Sequence, residues 1–176
     1  MRRMRGLGCM FIVALLAGHA SAGESCIDFH WDVAKERALF ATAPTLVAAG
    51  ADAKSAPSIQ VGHLVKLKLQ PVTKVTYKLQ PGRGVPNDGG HAGLVLLKVP
   101  ADGEYRVSLD VPVWVDLVED GTLLTPTDYQ GQHECPAPHK MVVWQLKGNS
   151  PLVIQMSATT ADTVLVSVTP APARVR

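Results

Sequence analysis

The segment HECPAPHKM, from His133 to Met141, places two histidines, a cysteine and a methionine within nine residues. In blue-copper electron-transfer sites, two histidines and a cysteine thiolate bind the metal, and a methionine lies at a longer axial distance. One histidine of such a site comes from far upstream of the loop, and His91 stands in that position relative to Cys135. The sequence therefore contains all four side chains of a copper site.

The spacing of these residues differs from that of the cupredoxins, which the segment resembles in its ligand types. The cupredoxin loop has the form C-x2-H-x2-M and joins the last two strands. Here Cys135, His139 and Met141 have the form C-x3-H-x-M, and three strand-forming segments follow. A copper or zinc protein remains the alternative function. Its candidate ligands are His91, His133, His139 and Met141, or, as a surface site without the cysteine, His133, Glu134 and His139.

The N-terminus has the three parts of a secretory signal peptide. A basic start is followed by an apolar run from Met10 to Ala17 and by the small residues Ala20, Ser21 and Ala22. We expect cleavage before Gly23 and a periplasmic or secreted mature protein. The apolar run is much shorter than the roughly 20 residues of a membrane-spanning helix, so we expect no stable membrane anchor.

The net charge of the mature chain argues against polyanionic partners. Cleavage would remove three of the 17 basic residues and none of the 15 acidic ones, which changes the formal charge from +2 to −1. No cluster of lysine and arginine remains, so we expect neither nucleic acid nor an anionic membrane as the main partner.

The mature chain keeps two cysteines, Cys26 and Cys135, because Cys9 lies in the signal peptide. An even pair in an oxidising compartment usually forms a disulfide, and we expect one here. A bridge that closes so long a loop contributes roughly 4 to 5 kcal/mol in the chain-entropy model. A bonded Cys135 would have no thiolate to offer a metal.

One helix and about eight strands are predicted. Helical spacing of apolar residues indicates a helix from about Asp32 to Phe40, and from Ile59 onward the apolar residues alternate with polar ones. TKVTYKL is among the predicted strands, Pro112 separates two of them, and Asp120 with Gly121 is typical of a hairpin turn. The predicted inward residues are Val65, Leu67, Leu69, Val75, Tyr77, Leu79, Tyr105, Val107, Leu109, Val111, Val113, Val115, Leu117, Val142, Trp144, Leu146, Leu152, Ile154, Met156, Val164, Val166 and Val168.

This pattern predicts an all-β fold, a two-sheet antiparallel sandwich of the jelly-roll type with the helix packed at one end. Residues 1–22 are the signal peptide, 23–58 the helix and a connecting loop, 59–170 the sandwich domain and 171–176 a flexible tail. One domain of ordinary size accounts for the whole mature chain.

The run GGHAGLVLLKVPADGEYRVSLDVPVWVDLVEDGTLL, followed by HKMVVWQLKGNSPLVIQMS, resembles the small exported β-sandwich domains of the bacterial pre-peptidase C-terminal type. The resemblance covers about Gly90 to Val168. Three features carry the resemblance: a strand that contains G-x-Y, a strand that contains W-x-D, and a late pair of strands. Such domains are non-catalytic appendages of secreted enzymes, so the resemblance implies an accessory role and carries over no catalytic residues.

No catalytic motif accompanies these elements. The sequence lacks a nucleophile elbow, a zincin helix and a framed pair of carboxylates, and the Gly-rich segment PGRGVPNDGG has no strand-to-helix context. Trp114 falls on the polar face of its strand. An aromatic ring at such a position either binds a sugar or a protein or covers a second small core. We therefore expect a non-enzymatic binding or accessory module without a cofactor, whose partner is an envelope protein or a glycan.

Overall fold

The computed structural model describes residues 29–83, 89–132 and 137–171. Within these ranges the chain forms one α-helix, twelve β-strands and a 3-10 turn at Val72–Lys74. The elements in chain order are α1 (Ala34–Phe40), β1 (Thr45–Ala48), β2 (Ser58–Ile59), β3 (Leu64–Lys68), β4 (Gln70–Pro71), β5 (His91–Lys98), β6 (Gly103–Leu109), β7 (Trp114–Glu119), β8 (Thr122–Leu123), β9 (Asp128–Gly131), β10 (Lys140–Leu146), β11 (Pro151–Thr159) and β12 (Thr163–Pro170).

Several predictions concern residues outside these ranges. They are the signal peptide, the pair Cys26 and Cys135, and the possible ligands His133 and Glu134. Within the described ranges, no helix is long and apolar enough to span a membrane.

The strands form two sheets. Sheet A has the order β1-β3-β12-β6-β10-β9, and sheet B has the order β2-β5-β11-β7-β8, with β4 paired to β5. Eight of these strands can be numbered from one to eight in chain order: β3, β5, β6, β7, β8, β10, β11 and β12. With this numbering, they lie in the order 1-8-3-6 in sheet A and 2-7-4-5 in sheet B. All neighbours among these eight are antiparallel. This is the strand order of a jelly roll, so the predicted sandwich is confirmed.

The core lies between the two sheets and is built from the alternating residues of the strands. Val107 and Leu109 of β6 and Ile154 of β11 have no exposed surface, and Trp144 of β10 is 1% exposed. All of the predicted inward residues from β3, β6, β7, β10, β11 and β12 belong to this core, and Val111 packs against it. The alternation of apolar and polar residues therefore identified the inward faces correctly.

The hairpin between β7 and β8 turns where the sequence predicts. Asp120 has φ 47° and Gly121 has φ 76°, and the flanking residues Glu119 and Thr122 pair directly. Two successive residues with positive φ are what a type I′ turn requires, and Asp-Gly adopts that conformation at low cost.

The strand predicted for TKVTYKL is wrong. Its start forms the 3-10 turn, and residues 75–79 belong to no strand. Their burial still alternates, since Val75, Tyr77 and Leu79 are half-buried while the residues between them are exposed. The segment bends at Lys78 and Leu79, and the side-chain amide of Gln155, instead of a neighbouring strand, holds it to sheet B. Its Nε2 donates to the carbonyl of Leu79 at 3.1 Å, and its Oε1 accepts from the amide of Leu79 at 3.0 Å.

Helix α1 begins two residues later than the sequence predicts. The carboxylate of Asp32 accepts a hydrogen bond from the amide of Ala34 at 2.9 Å, so Asp32 precedes the helix and satisfies one of its free amides. The helix ends at Phe40, where Pro44 follows after a short turn. Phe29, Val33 and Met141 form a small second core between this N-terminal segment and the outer face of sheet A.

A buried ion pair joins α1 to sheet A. The Nη1 atom of Arg106 lies 3.3 Å from Oε1 of Glu36, and the two side chains are 4% and 1% exposed. The same carboxylate oxygen accepts from the hydroxyl of Thr169 at 2.6 Å, and Nη1 of Arg106 also donates to the carbonyl of Asp32 at 2.8 Å. The ring of Trp31 lies 5.3 Å from the guanidinium carbon of Arg106. Breaking this pair would leave a buried charge without a partner.

Replacement of Glu36 alone should destabilise the fold strongly. We expect Glu36→Leu to lower the free energy of unfolding by about 3 to 5 kcal/mol, because the guanidinium of Arg106 stays buried without its carboxylate. The double variant Glu36→Leu, Arg106→Met should recover most of that loss, because it removes both charges. Urea denaturation of the single and double variants measures the two values. Lys35→Leu, at an exposed position of the same helix, serves as the control and should change stability by less than about 0.5 kcal/mol. Equal losses in the single and double variants would contradict the prediction.

Candidate binding groove

A groove of about 710 Å³ opens at the margin of the sandwich, between β7 of sheet B and β9 and β10 of sheet A. Apolar side chains from both sheets form its floor. They are Val113, Val115, Leu124, Val142 and Trp144. Four of them belong to the main core and Leu124 packs against it. The groove is therefore an opening at the edge of the hydrophobic core.

The early end of β8 creates this opening. β8 pairs only with Val118 and Glu119 of β7, and one further bond runs from the amide of Leu124 to the carbonyl of Leu117 at 2.8 Å. Pro126 follows and has no amide hydrogen with which to continue the ladder. Because backbone groups alternate along an antiparallel strand, the amide and carbonyl of Val115 point to the same open edge as the carbonyl of Leu117. Within the described part of the chain, the start of β7 thus faces the groove without a neighbouring strand.

Lys140 places a cation at the rim of the groove. Its Nζ donates to the carbonyl of Val113 at 3.1 Å and lies 5.2 Å from the ring centre of Trp114. The side chain is half-buried and forms no ion pair with a residue in the described ranges. Burial lowers the pKa of Lys140, and the nearby charge of Arg83 lowers it further, while Asp116 acts in the opposite direction. The charged ammonium therefore lies where it has lost part of its hydration without forming an ion pair with a described carboxylate.

Trp114 forms one wall of the groove and is half-buried. Its Nε1 donates to Oδ1 of Asp116 at 2.9 Å, and the other oxygen of that carboxylate accepts from the amide of Gly82 at 3.0 Å. A side chain at Gly82 would contact the indole ring at 3.4 Å, so the loop containing Gly82 lies directly on Trp114. Trp114 is therefore covered on one side by this loop, whereas Trp31 packs on the other sheet beside Arg106.

The loop over Trp114 is anchored by polar contacts to sheet B. Gln155, which has no exposed surface, binds both backbone groups of Leu79, and Asp116 binds Gly82. The hydroxyl of Tyr77 is buried in the same region, and burial, together with the charge of Asp116, raises the pKa of that phenol. These anchors hold Arg83 at the groove, where it is one of the lining residues.

Tyr129 supplies an exposed aromatic ring to the opposite wall. It lies on the edge strand β9, pairs with Val142 of β10, and is 69% exposed. An exposed aromatic side chain next to an apolar floor is well suited to binding, because it adds contact area at a small cost in side-chain entropy. Neither β9 nor Tyr129 is singled out by the sequence, since TDYQG is too short to show alternation. The exposed ring is visible only in the folded chain.

The residues proposed as metal ligands lie in different surroundings. His139 lines the groove, and its backbone joins β6 to the end of β9. Met141 has no exposed surface and packs against Phe29 and Val33 on the outer face of sheet A. His91 begins β5, where its Nδ1 atom is buried and has no hydrogen-bond partner among the described residues. Among the described residues, no three His, Cys, Asp or Glu side chains are grouped to hold a metal ion. The copper or zinc alternative stays a prediction.

Two carboxylates of the β6–β7 region have structural partners. Oδ1 of Asp110 accepts from the amide of Leu165 at 2.7 Å, where β6 ends beside β12. Burial raises the pKa of Asp110, although its hydrogen bonds to the backbone act in the opposite direction. Asp116 binds Trp114 and Gly82, as described above. Each carboxylate therefore helps to hold a strand end or a loop in place.

A second depression lies at the opposite margin of sheet B, beside β2. It measures about 580 Å³ and is lined by Ile59, Val61, Leu97 and other residues, among which Lys98 is the one charged side chain of the described set. Its described lining residues include no aromatic ring. The groove beside β7 combines aromatic, cationic and apolar groups, so it is the better candidate for a functional site.

Replacement of Gln155 should loosen the wall of the groove. In Gln155→Met, the amide and carbonyl of Leu79 lose their partners, and we expect the free energy of unfolding to fall by about 1 to 3 kcal/mol. Relative to the wild-type protein, hydrogen exchange at the amides of Leu79 and Gly82 should accelerate more in this variant than exchange in β6. Gln145→Met, at an exposed position of β10, is the matched control and should leave both quantities unchanged. Unchanged exchange at Leu79 in the Gln155 variant would show that this contact does not hold the loop.

Comparison with known proteins gives no family assignment. Neither a protein-family model nor a curated protein sequence matches the chain. The resemblance of residues 90–168 to the pre-peptidase C-terminal domains therefore stays a prediction. What is established is the fold class: an all-β sandwich of two sheets with one short helix in the described part of the chain.

Proposed function

We propose that this chain is a non-catalytic β-sandwich protein of the cell envelope that acts as a binding or accessory module through the groove beside β7. The observation that carries the proposal is the composition of the groove. An exposed aromatic ring and a half-buried cation without an ion-pair partner in the described ranges lie beside an apolar floor. Concave sites with a largely apolar lining and a few polar groups are the usual form of ligand sites in proteins.

The placement of the groove supports a binding role. It lies between two sheets that are held together by a large common core, so its walls keep their positions when a ligand arrives. Trp114 and Lys140 are each held by a hydrogen bond, which reduces the side-chain entropy that binding would cost. Tyr129 remains exposed and can contact a partner that extends beyond the groove, such as a glycan or an envelope protein.

Removal of the exposed ring should weaken binding to the envelope. We expect the wild-type mature protein to be retained on isolated cell-envelope material, and Tyr129→Ala to lower its affinity at least about thirtyfold, the size of an interface hot spot. Leu46→Ala is the matched control, because Leu46 is also 69% exposed but lies on β1, which contributes nothing to the groove. Co-sedimentation over a range of protein concentrations measures the affinities. Equal retention of the two variants would remove the groove from the proposal.

The proposed envelope location rests on the signal-like N-terminus and has its own test. We expect the full chain expressed in a Gram-negative bacterium to be recovered from the periplasm or the medium with Gly23 as its first residue. Its denatured form should show no free thiol until it is reduced, because Cys26 and Cys135 would be bonded. Ala22→Asp, which disrupts the small-residue cleavage site, should accumulate uncleaved chain. Recovery of the wild-type chain from the cytoplasm with two free thiols would contradict the envelope location.

A further inference from the structure

We infer that the ligand of the groove is a small apolar molecule that carries an anionic group, with its apolar part on the valine floor and its anion at Lys140. This inference rests on the proposed binding function and names the chemical class that the groove would select. A carboxylate and a phosphate monoester share the required chemistry.

The floor determines the apolar part of the ligand. Val113, Val115 and Val142 are 4%, 6% and 5% exposed, and the surface that they retain faces the groove. Together with Leu124 they offer no charged group to a ligand. The groove volume of about 710 Å³ lies within the usual range for small-molecule sites. A hydrocarbon chain or ring placed there would complete the burial of these side chains and gain free energy with each buried carbon.

The rim determines the sign of the charge. An ammonium group has three hydrogens to donate, and the single hydrogen-bond acceptor found for Lys140 is the carbonyl of Val113. The ring face of Trp114 adds an electrostatic contact but no carboxylate. Desolvation without a counter-ion is unfavourable for a cation, so an incoming anion would recover free energy that the unliganded protein lacks.

The remaining charges of the groove also favour an anionic ligand. Arg83 lines the groove beside Lys140, and the one carboxylate of the described lining residues is that of Asp116. Both oxygens of Asp116 accept hydrogen bonds from the wall, one from Trp114 and one from Gly82. The two cations Arg83 and Lys140 outnumber the one carboxylate, so the described lining residues carry a net positive charge. A cationic ligand would meet Lys140 and Arg83 at close range, where repulsion is weakly screened.

The test uses four probes of matched size on the mature full-length protein: octanoate, octyl phosphate, octanol and octyltrimethylammonium. Isothermal titration calorimetry measures each affinity. We expect the two anions to bind at least five times more tightly than octanol and the cation not to bind. Shortening octanoate by one CH2 should weaken binding about fourfold, because each buried CH2 contributes a constant amount. The two anions together distinguish a general anion site from one that accepts only a carboxylate or only a phosphate.

Lys140→Met should abolish the preference for anions, so that octanoate and octanol bind the variant with equal affinity, since it keeps the apolar stem and removes the charge. Lys68→Met, at an exposed position of β3, is the matched control and should behave as wild type. Lys140→Gln serves as a second variant, and circular dichroism confirms that each variant folds. Equal affinity of octanol and octanoate for the wild-type protein would overturn the anionic assignment. Absence of binding by all four probes, while envelope retention still depends on Tyr129, would overturn this inference and leave the proposed function intact. Absence of probe binding, together with envelope retention that does not depend on Tyr129, would overturn both the inference and the proposed function.

Discussion

A β-sheet in a sandwich has two faces, and only one of them can point into the shared core. In this protein β6, β11 and β12 carry buried residues on both faces, so the outer face of each sheet needs a cover of its own. The N-terminal segment with α1 covers sheet A, and the segment from Val75 to Gly82 covers sheet B. The positions of the helix, the loop and the groove all depend on this requirement.

Polar side chains, together with a few apolar ones, hold these covers. Arg106 and Gln155 are buried on the outer faces, where an apolar strand residue would be expected if the covers packed like the core, and both form hydrogen bonds to the cover. A buried polar group costs free energy unless it is hydrogen-bonded, so these directional contacts favour one position for each cover. The amide of Gln155 illustrates this, because it binds both backbone groups of one residue in a segment that forms no strand. Directional contacts of this kind define where the loop over Trp114 lies.

The groove results from the way in which sheet B ends at β8. β8 is only two residues long, and Pro126 prevents its extension, so the start of β7 pairs with no described strand on that side. The inward side chains of β7 and β10 therefore reach the surface at the margin of the core. Lys140 donates to the carbonyl of Val113 and thereby satisfies part of the open strand edge. Lys140 therefore stabilises the strand edge and also provides the cation of the proposed binding site.

The sequence by itself determined the class of fold and the inward faces of most strands, because a strand that is buried between two sheets must alternate with a period of two. It also predicted the Asp120–Gly121 turn and the break at Pro112, since both depend on backbone conformations that few residues adopt. Alternation could not show that Val75, Tyr77 and Leu79 would bind a side-chain amide instead of a strand, because a half-buried extended segment has the same pattern in either case. The candidate site was decided only by the tertiary structure. Trp114, Lys140 and Tyr129 come from three strands of two sheets, and their proximity depends on strand order and on where β8 ends, which no local pattern encodes.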